Sequence, residues 1–111
     1  MTKRILMTAD HIGADDELGR VLARNFLYAL ARDPKPPVAV MLMHSAVRLA
    51  CEGSGSLDDL KLLEESGVAV AACGTCLDYL GLKDQLAVGQ VGTMLDGVSA
   101  MLGDEAVLTI R

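Results

Sequence analysis

Two cysteines three residues apart, Cys73 and Cys76, have the most distinctive chemistry in this chain of 111 residues. They flank Gly74 and Thr75 directly after an apolar run, where a buried strand is expected to pass into a helix. We predict that Thr75 caps this helix and that Cys76 is its first residue. Both sulfurs would then lie near the unpaired N–H groups of the helix start, which lower a thiol pKa and favour the reactive thiolate.

A Cys-x-x-Cys pair has three chemical uses, and it can also be inert packing without a chemical role. One thiol can carry or attack sulfur while the other resolves the disulfide or persulfide that forms. The pair can instead bind zinc, whose four ligands could be the three cysteines of the chain and His44. The third use is thiol–disulfide redox chemistry, but the thioredoxin pattern is incomplete, since the chain has no Trp and no Pro after Pro37.

Other polar residues follow the ends of predicted strands, where an open parallel sheet binds its ligands. Asp10 follows the first strand, as a supporting group or simply as a turn residue. His44 and Ser45 follow the second strand, and His44 is either a base or proton donor beside the thiols or a half-buried structural histidine. Cys51 is expected to be a small buried hydrophobe more than a participant, although it stays a possible supporting residue.

The elements that position these residues alternate between strands and helices. Strands are predicted at residues 5–8, 38–43, 68–72 and 106–110, and a further short one at 85–88. The main runs are apolar almost throughout, which is typical of strands covered on both faces. The alternation with helices therefore predicts an α/β protein with a parallel sheet and helices on both faces.

The helices are marked by apolar spacing and by capping residues. The first helix is predicted from a stripe of Leu18, Val21, Leu22, Phe26, Ala29 and Leu30. The spacing of a capping box predicts the starts of three later helices, at Ser56 with Asp59, Thr75 with Asp78 and Thr93 with Asp96.

Composition excludes several classes of function. The length predicts one domain, and a net charge of −5 without a Lys/Arg cluster argues against nucleic acid or an anionic membrane as a partner. No apolar run is long enough to span a bilayer, and no signal-peptide pattern follows the first residues, so a cytoplasmic location is expected. A mean hydropathy of +0.36 with six Met predicts more apolar surface than one small domain buries, as in a homo-oligomer.

Several segments together carry a resemblance to a known family. They are residues 8–10, 12–13, 17–19, 25–28, 45–54 and, most specifically, 73–82. In these segments the sequence resembles the DsrE-like family, and it looks like the DsrE-like domain at the C-terminus of YedF, a sulfurtransferase-like protein of selenium metabolism. The resemblance covers residues 1–111 as a single DsrE-like domain.

The resemblance implies a three-layer α/β/α fold with a mostly parallel sheet of about five strands, usually assembled into oligomers. It also implies that the protein relays persulfide sulfur, or selenium, between partner proteins. In the sulfur-relay members, the acceptor cysteine ends a strand eight residues before a glycine, the relation that Cys73 has to Gly81. Cys73 is therefore expected to carry the sulfur and Cys76 to act as a resolving thiol, with Gly74 and Thr75 supporting them.

The resemblance also suggests a partner. YedF has a TusA-like domain with its own cysteine before the DsrE-like domain, and residues 1–111 are accounted for by the DsrE-like domain alone. A separate TusA-like sulfur-carrier protein is therefore the expected partner, and no cofactor is implied. The main alternative is a non-enzymatic, oligomeric module with the same fold that binds a ligand or partner.

Overall fold

The computed structural model describes residues 3–111, which form five strands and four α-helices. The strands are β1 (Lys3–Met7), β2 (Ala39–Leu42), β3 (Ala69–Cys73), β4 (Gln90–Gly92) and β5 (Ala106–Ile110). The helices are α1 (Glu17–Arg32), α2 (Leu57–Glu65), α3 (Gly74–Tyr79) and α4 (Met94–Met101). Two 3₁₀ segments, His44–Ala50 and Lys83–Gln85, follow β2 and α3.

The five strands form one parallel sheet in the order β4-β3-β2-β1-β5. This confirms the predicted α/β fold. From β1 to β4 the chain moves in one direction across the sheet, and it then returns past three strands to β5. Because such crossovers are right-handed, α1 to α3 cover one face and α4 covers the other. The segments that follow β1, β2 and β3 meet at the carboxyl edge of the sheet.

The main core lies between the sheet and helices α1 and α2. The sheet contributes Ile5, Met7, Val40, Leu42, Val70 and Ala72, and the helices contribute Ala23, Leu27, Leu60 and Leu63. Full burial of each leucine contributes about 1.5–3 kcal/mol relative to exposure. At the surface, Arg32 on α1 and Asp59 on α2 form an ion pair at 2.9 Å. This packing fixes the strands from which the functional residues emerge.

Helix α1 forms as predicted, but its fully buried positions differ from the predicted stripe. Its buried positions are Gly19, Ala23, Leu27 and Ala31. Leu18 and Leu22 of the predicted stripe are 65% and 41% exposed, and its other members are at most partly buried. A Cβ at Gly19 would overlap with the Ala14 carbonyl oxygen, so glycine lets the preceding loop lie against the helix. The stripe therefore predicts the helix correctly, and Phe26 and Leu30 do pack against the core, but Leu18 and Leu22 lie outside the face that approaches the sheet.

The strand predicted at residues 85–88 is wrong. This segment pairs with the end of the first 3₁₀ segment, since the N–H groups of Ala87 and Val88 donate to the Ala50 carbonyl at 2.8 and 3.2 Å. Gly89, at φ +83°, then turns the chain into β4. Because β4 has only three residues and ends in glycine, it does not form an apolar run in the sequence.

The capping box predicted at Ser56 is also wrong. The side chain of Ser56 precedes α2 but makes no capping hydrogen bond, and its hydroxyl is buried without a partner among the described residues. Asp59, its expected partner, instead pairs with Arg32. Thr93 does cap α4, because its hydroxyl accepts a hydrogen bond from the Asp96 N–H at 3.1 Å. The same spacing therefore yields a cap at α4 but not at α2.

Helix α4 covers its face of the sheet loosely. None of its residues is buried, and a cavity of about 160 Å³ separates it from the strands. On its outer side, Leu95 and the following Leu102 are 84% and 82% exposed. This face of the molecule therefore presents apolar side chains that residues 3–111 do not cover.

Candidate thiol site

Strand β3 runs directly into helix α3 at Cys73. Cys73 is the residue before the helix, and Gly74 is the first helical residue. The prediction that Thr75 caps α3 and that Cys76 begins it is therefore wrong, and Thr75 is exposed on the first turn. Glycine at position 74 makes room for Val91 of β4, because a Cβ there would lie only 2.9 Å from Val91 Cγ1.

Cys76 is held by the backbone of the segment that follows β2. The His44 N–H donates a hydrogen bond to Cys76 Sγ at 3.1 Å. To do so, His44 adopts φ +53°, in the left-handed region that residues other than glycine seldom occupy. Such strained residues persist where the surrounding structure fixes them, and they cluster at functional sites. The contact between His44 and the thiols is thus made by its peptide group, while its side chain is exposed.

The surroundings of Cys76 favour its protonated form. Burial raises the pKa of the Cys76 thiol above its ordinary value, and a hydrogen bond with the Cys73 side chain raises it further. The hydrogen bond from the His44 N–H lowers it in part. The prediction that the helix start lowers the pKa of both thiols is therefore wrong for Cys76, because desolvation outweighs the nearby N–H groups.

Cys73 lies between two environments. It is half-buried at the end of β3, next to Cys76, and it lines the cavity between the sheet and α4. Met41 and Ala71 of the sheet and Met94 of α4 also line that cavity, which is mainly apolar. Neither thiol is in a disulfide. Cys73 is thus the thiol of the pair that faces space large enough for an added sulfur atom.

Cys51 does not join the thiol pair. It is 2% exposed, and its thiol donates a hydrogen bond to the Val47 carbonyl at 3.2 Å. Burial raises the pKa of Cys51, which keeps it protonated. The three cysteines and His44 do not form a metal-ligand group among residues 3–111. The zinc site considered from the sequence is therefore not assembled, because Cys51 belongs to the core.

Asp10 and Ser45 join the ends of β1 and β2. The Asp10 N–H donates to Ser45 Oγ at 3.1 Å, and the Ser45 hydroxyl donates to Asp10 Oδ1 at 3.4 Å. His11 Nδ1 lies 2.9 Å from the same carboxylate oxygen. The predicted convergence of strand-end segments is confirmed: Asp10 meets Ser45, and the neighbouring His44 meets Cys76.

An open cavity of about 580 Å³ lies at this edge of the sheet. Its lining includes Asp10, His11, Asp15, His44, Ser45, Arg48 and Leu80. Arg48 is absent from the sequence prediction, because a lone arginine in a short apolar segment has no pattern that marks it as functional. It reaches the site because the segment after β2 is a 3₁₀ helix whose exposed side turns towards Asp10.

One group of side chains in the described part of the chain could hold a metal ion. Asp10, His11 and Asp15 each offer a ligand atom within 4.8 Å of the others. Asp15 is exposed and already pairs with Arg20 at 2.9 Å, and His11 lies beside both Asp10 and Asp15. We therefore interpret the group as a network of charged and polar side chains that contact one another. Within the described residues, no helix is both long and apolar enough to cross a membrane.

These features define a class: a small α/β/α protein with a five-stranded parallel sheet and a thiol pair at its carboxyl edge. The chain matches the solved structure of the YchN protein from E. coli with a TM-score of 0.74 and 21% sequence identity, covering 99% of this chain and 100% of that one. It also matches MTH1491 from Methanobacterium thermoautotrophicum, a protein described as of unknown function, with a TM-score of 0.64 and 22% identity over 96% and 98% of the two chains.

No family model and no curated protein matches the chain. The solved structures show that the protein has a DsrE/YchN-like fold, as the resemblance in its sequence implies. At these identities the likeness concerns the fold alone. The relation to YedF stays a prediction.

Proposed function

We propose that this protein carries sulfane sulfur as a persulfide on Cys73. The observation that supports the proposal best is the position of Cys73 at the carboxyl end of β3, half-buried, beside a second thiol and facing a cavity. The DsrE/YchN-like fold agrees with a sulfur-relay role, although it does not test one. Since function depends on the site and not on the fold, the support for the proposal comes from the thiol pair.

The proposed transfer conserves atoms and electrons. The Cys73 thiolate attacks the terminal sulfur of a donor persulfide, R–S–SH, and forms a new S–S bond. The S–S bond of the donor breaks, and the donor leaves as a thiolate that takes up a proton. Cys73 is left as a persulfide, and no external oxidant or reductant is needed. The reverse exchange delivers the sulfur to the thiolate of an acceptor.

At neutral pH, the protonated Cys76 would leave the Cys73 persulfide intact. If Cys76 ionised, its thiolate could attack the inner sulfur of the Cys73 persulfide, form a Cys73–Cys76 disulfide and release hydrosulfide. The raised pKa of Cys76 disfavours that reaction, because a thiol is a poor nucleophile. Cys76 is thus a resolving thiol that is held inactive until its surroundings change.

The proposal extends to partners and compartment. A TusA-like sulfur carrier is the partner that we infer from the sequence resemblance, and selenium is a second chalcogen that the same thiol chemistry would accept. Free, closely spaced thiols suit the reducing cytoplasm, where they stay available for exchange. We also infer a homo-oligomer, because apolar side chains on and around α4 are left exposed.

Mass spectrometry tests the carrier role. The protein, reduced and then incubated with a small-molecule persulfide, is expected to gain about 32 Da, the mass of one sulfur atom, and the gain should be reversed by dithiothreitol. Cys73→Ser should abolish the adduct. Peptide mapping after alkylation would place the added sulfur on Cys73.

Cys51→Ser and Cys76→Ser are the matched controls, because each removes one thiol and leaves Cys73 in place. Both variants should still take up sulfur if they fold. An adduct that survives Cys73→Ser, or no adduct on the wild-type protein, would refute the carrier proposal and favour a binding module that does not use its thiols.

A further inference from the structure

Three of the six arginines of the chain line one cavity. Arg20 and Arg24 lie one turn apart on the same face of α1, and Arg48 faces them from the 3₁₀ segment after β2. The cavity measures about 290 Å³, close to the lower end of the range for small-molecule sites. This concentration of positive charge stands out in a protein with a net charge of −5.

Two of these arginines make no ion pair within residues 3–111. Arg20 is partly neutralised, since its guanidinium pairs with Asp15 at 2.9 Å. Arg24 and Arg48, by contrast, have no carboxylate within 4.0 Å among the described residues, whereas Arg4 pairs with Glu105 in the same chain. Guanidinium groups that share a cavity repel one another unless an anion lies between them.

The two carboxylates in the wall of the cavity do not supply that anion. Asp10 lies beside His11 and Ser45, to which its carboxylate is hydrogen-bonded. Glu52 makes no side-chain hydrogen bond or ion pair in the described part of the chain, and its carboxylate lies more than 4.0 Å from every guanidinium nitrogen there. The positive charge of Arg24 and Arg48 is therefore directed at the cavity and its solvent.

The remaining wall is a glycine-rich loop, residues 53–55. Gly53 adopts φ +88°, and the N–H groups of Gly53 and Gly55 donate no hydrogen bond within the described residues. A Cβ at Gly55 would lie 3.1 Å from Arg24 Cδ, so the glycine allows the arginine to lie across the loop. Peptide N–H groups beside arginines form the type of concave surface that binds anions.

We propose that this cavity binds a small tetrahedral oxyanion, such as phosphate or the phosphate group of a small molecule. Arginine suits this ligand because its planar guanidinium donates two parallel hydrogen bonds to neighbouring oxygens. Arg24 and Arg48 would clamp the anion, Arg20 would add long-range attraction, and the loop would donate N–H groups. Neither Cys73 nor Cys76 lines this cavity, so the site goes beyond the proposed sulfur chemistry and does not depend on it.

Isothermal titration calorimetry with inorganic phosphate tests the site, in a chloride buffer whose ionic strength is held constant. Saturable binding to one site per chain is expected. Arg24→Gln and Arg48→Gln should each weaken it by about tenfold or more, the usual effect of losing hydrogen bonds to a charged group. Arg48→Lys should retain part of the affinity, because it keeps the charge but loses the paired donors.

Lys61→Gln is the charge-matched control, since Lys61 is exposed on α2 and absent from the cavity wall. Titrations with acetate show whether a planar carboxylate binds as well, and weaker binding than phosphate is expected. Arg24 is exposed, so its variant keeps the test valid if Arg48→Gln fails to fold. No saturable phosphate binding, or equal losses in Arg24→Gln and Lys61→Gln, would overturn the proposal.

Discussion

Cys73 and Cys76 are close neighbours, yet they have different surroundings. Cys73 lines the apolar cavity under α4, whereas Cys76 receives the His44 N–H and lies next to Cys73. Desolvation is the largest cause of the raised pKa of Cys76, so a partly buried position outweighs one backbone hydrogen bond. A short motif thus places two thiols in different surroundings, which in the proposed function would give them separate tasks, Cys73 to carry sulfur and Cys76 to stay protonated.

The raised pKa of Cys76 predicts a pH dependence. On protein loaded with persulfide, hydrosulfide release should be slow near pH 7, where Cys76 is a thiol. Release should accelerate as the pH rises through the raised pKa, above the ordinary cysteine value of about 8.5, because the Cys76 thiolate then attacks the persulfide. A methylene-blue or electrode assay of sulfide, run from about pH 7 to about pH 10, measures the effect.

Cys76→Ser should remove the alkaline acceleration, and Cys51→Ser should retain it, since Cys51 lies in the core. The accelerated rate should not depend on protein concentration, because the attack is intramolecular. If Cys76→Ser released sulfide with the same pH profile as the wild-type protein, Cys76 would not be the resolving thiol.

At the scale of elements, the helix starts show how tertiary contacts decide local structure. Ser56 and Thr93 have the same relation to a following aspartate, but only the Thr93 hydroxyl caps its helix. Asp59 is drawn to Arg32 across the α1–α2 contact, and the Ser56 hydroxyl is left buried and unpaired in the described structure. A buried hydroxyl without a partner lowers the stability of the fold, whereas a hydroxyl that caps a helix raises it.

We therefore expect opposite effects from two alanine substitutions. Thr93→Ala should lower the free energy of unfolding by about 1 kcal/mol through loss of the cap. Ser56→Ala should leave it unchanged or raise it by up to about 1 kcal/mol, because it removes an unsatisfied buried group. Urea unfolding with equal m-values gives both numbers. A loss from Ser56→Ala as large as that from Thr93→Ala would show that Ser56 is bonded in solution.

Much of the fold can be predicted from the sequence, because strands covered on both faces leave apolar runs. The runs that predict β1, β2, β3 and β5 are near their observed positions, and the parallel sheet follows from their alternation with helices. The edge strand β4 cannot be predicted this way, since it is short and largely exposed. The packed face of α1 also escapes prediction, because small residues such as Gly19 form it.

The site can be predicted only as a region. The rule for parallel sheets brings Asp10, His44 and the cysteines to one edge, and the structure agrees for all of them except Cys51, which lies in the core. It does not foresee that a peptide N–H of His44 makes the contact with Cys76, because a left-handed φ leaves no trace in the residue type. Arg48 is missed because its role depends on three separate segments meeting.

At the scale of the whole molecule, the two faces of the sheet are covered unequally. Three helices lie on one face and only α4 on the other, so the second face keeps a cavity and an apolar outer surface. Met94, Leu95, Val98 and Leu102 are all exposed there. Clustered exposed apolar side chains are typical of a protein–protein interface. We expect the partner to be a second copy of the chain, because most soluble oligomers are symmetric homo-oligomers.

Charge substitution on α4 tests this assembly. Leu95→Glu and Leu102→Glu together should convert an oligomer to a monomer in sedimentation equilibrium or light scattering, because burying two carboxylates in an apolar interface is costly. Leu18→Glu is the matched control, since Leu18 is also an exposed helical leucine but lies on α1, against the other face. It should leave the oligomer intact.

The same experiment separates assembly from folding. Because Leu95 and Leu102 are more than four-fifths exposed in the single chain, the double variant should keep the circular dichroism of the folded protein. Its melting temperature should not depend on protein concentration, whereas that of the wild-type oligomer should fall towards it on dilution, since an oligomer gains stability by mass action. A wild-type protein that is monomeric at all concentrations would show that there is no such interface. An oligomer that survives the double substitution but is lost in Leu18→Glu would place the interface on the α1 side.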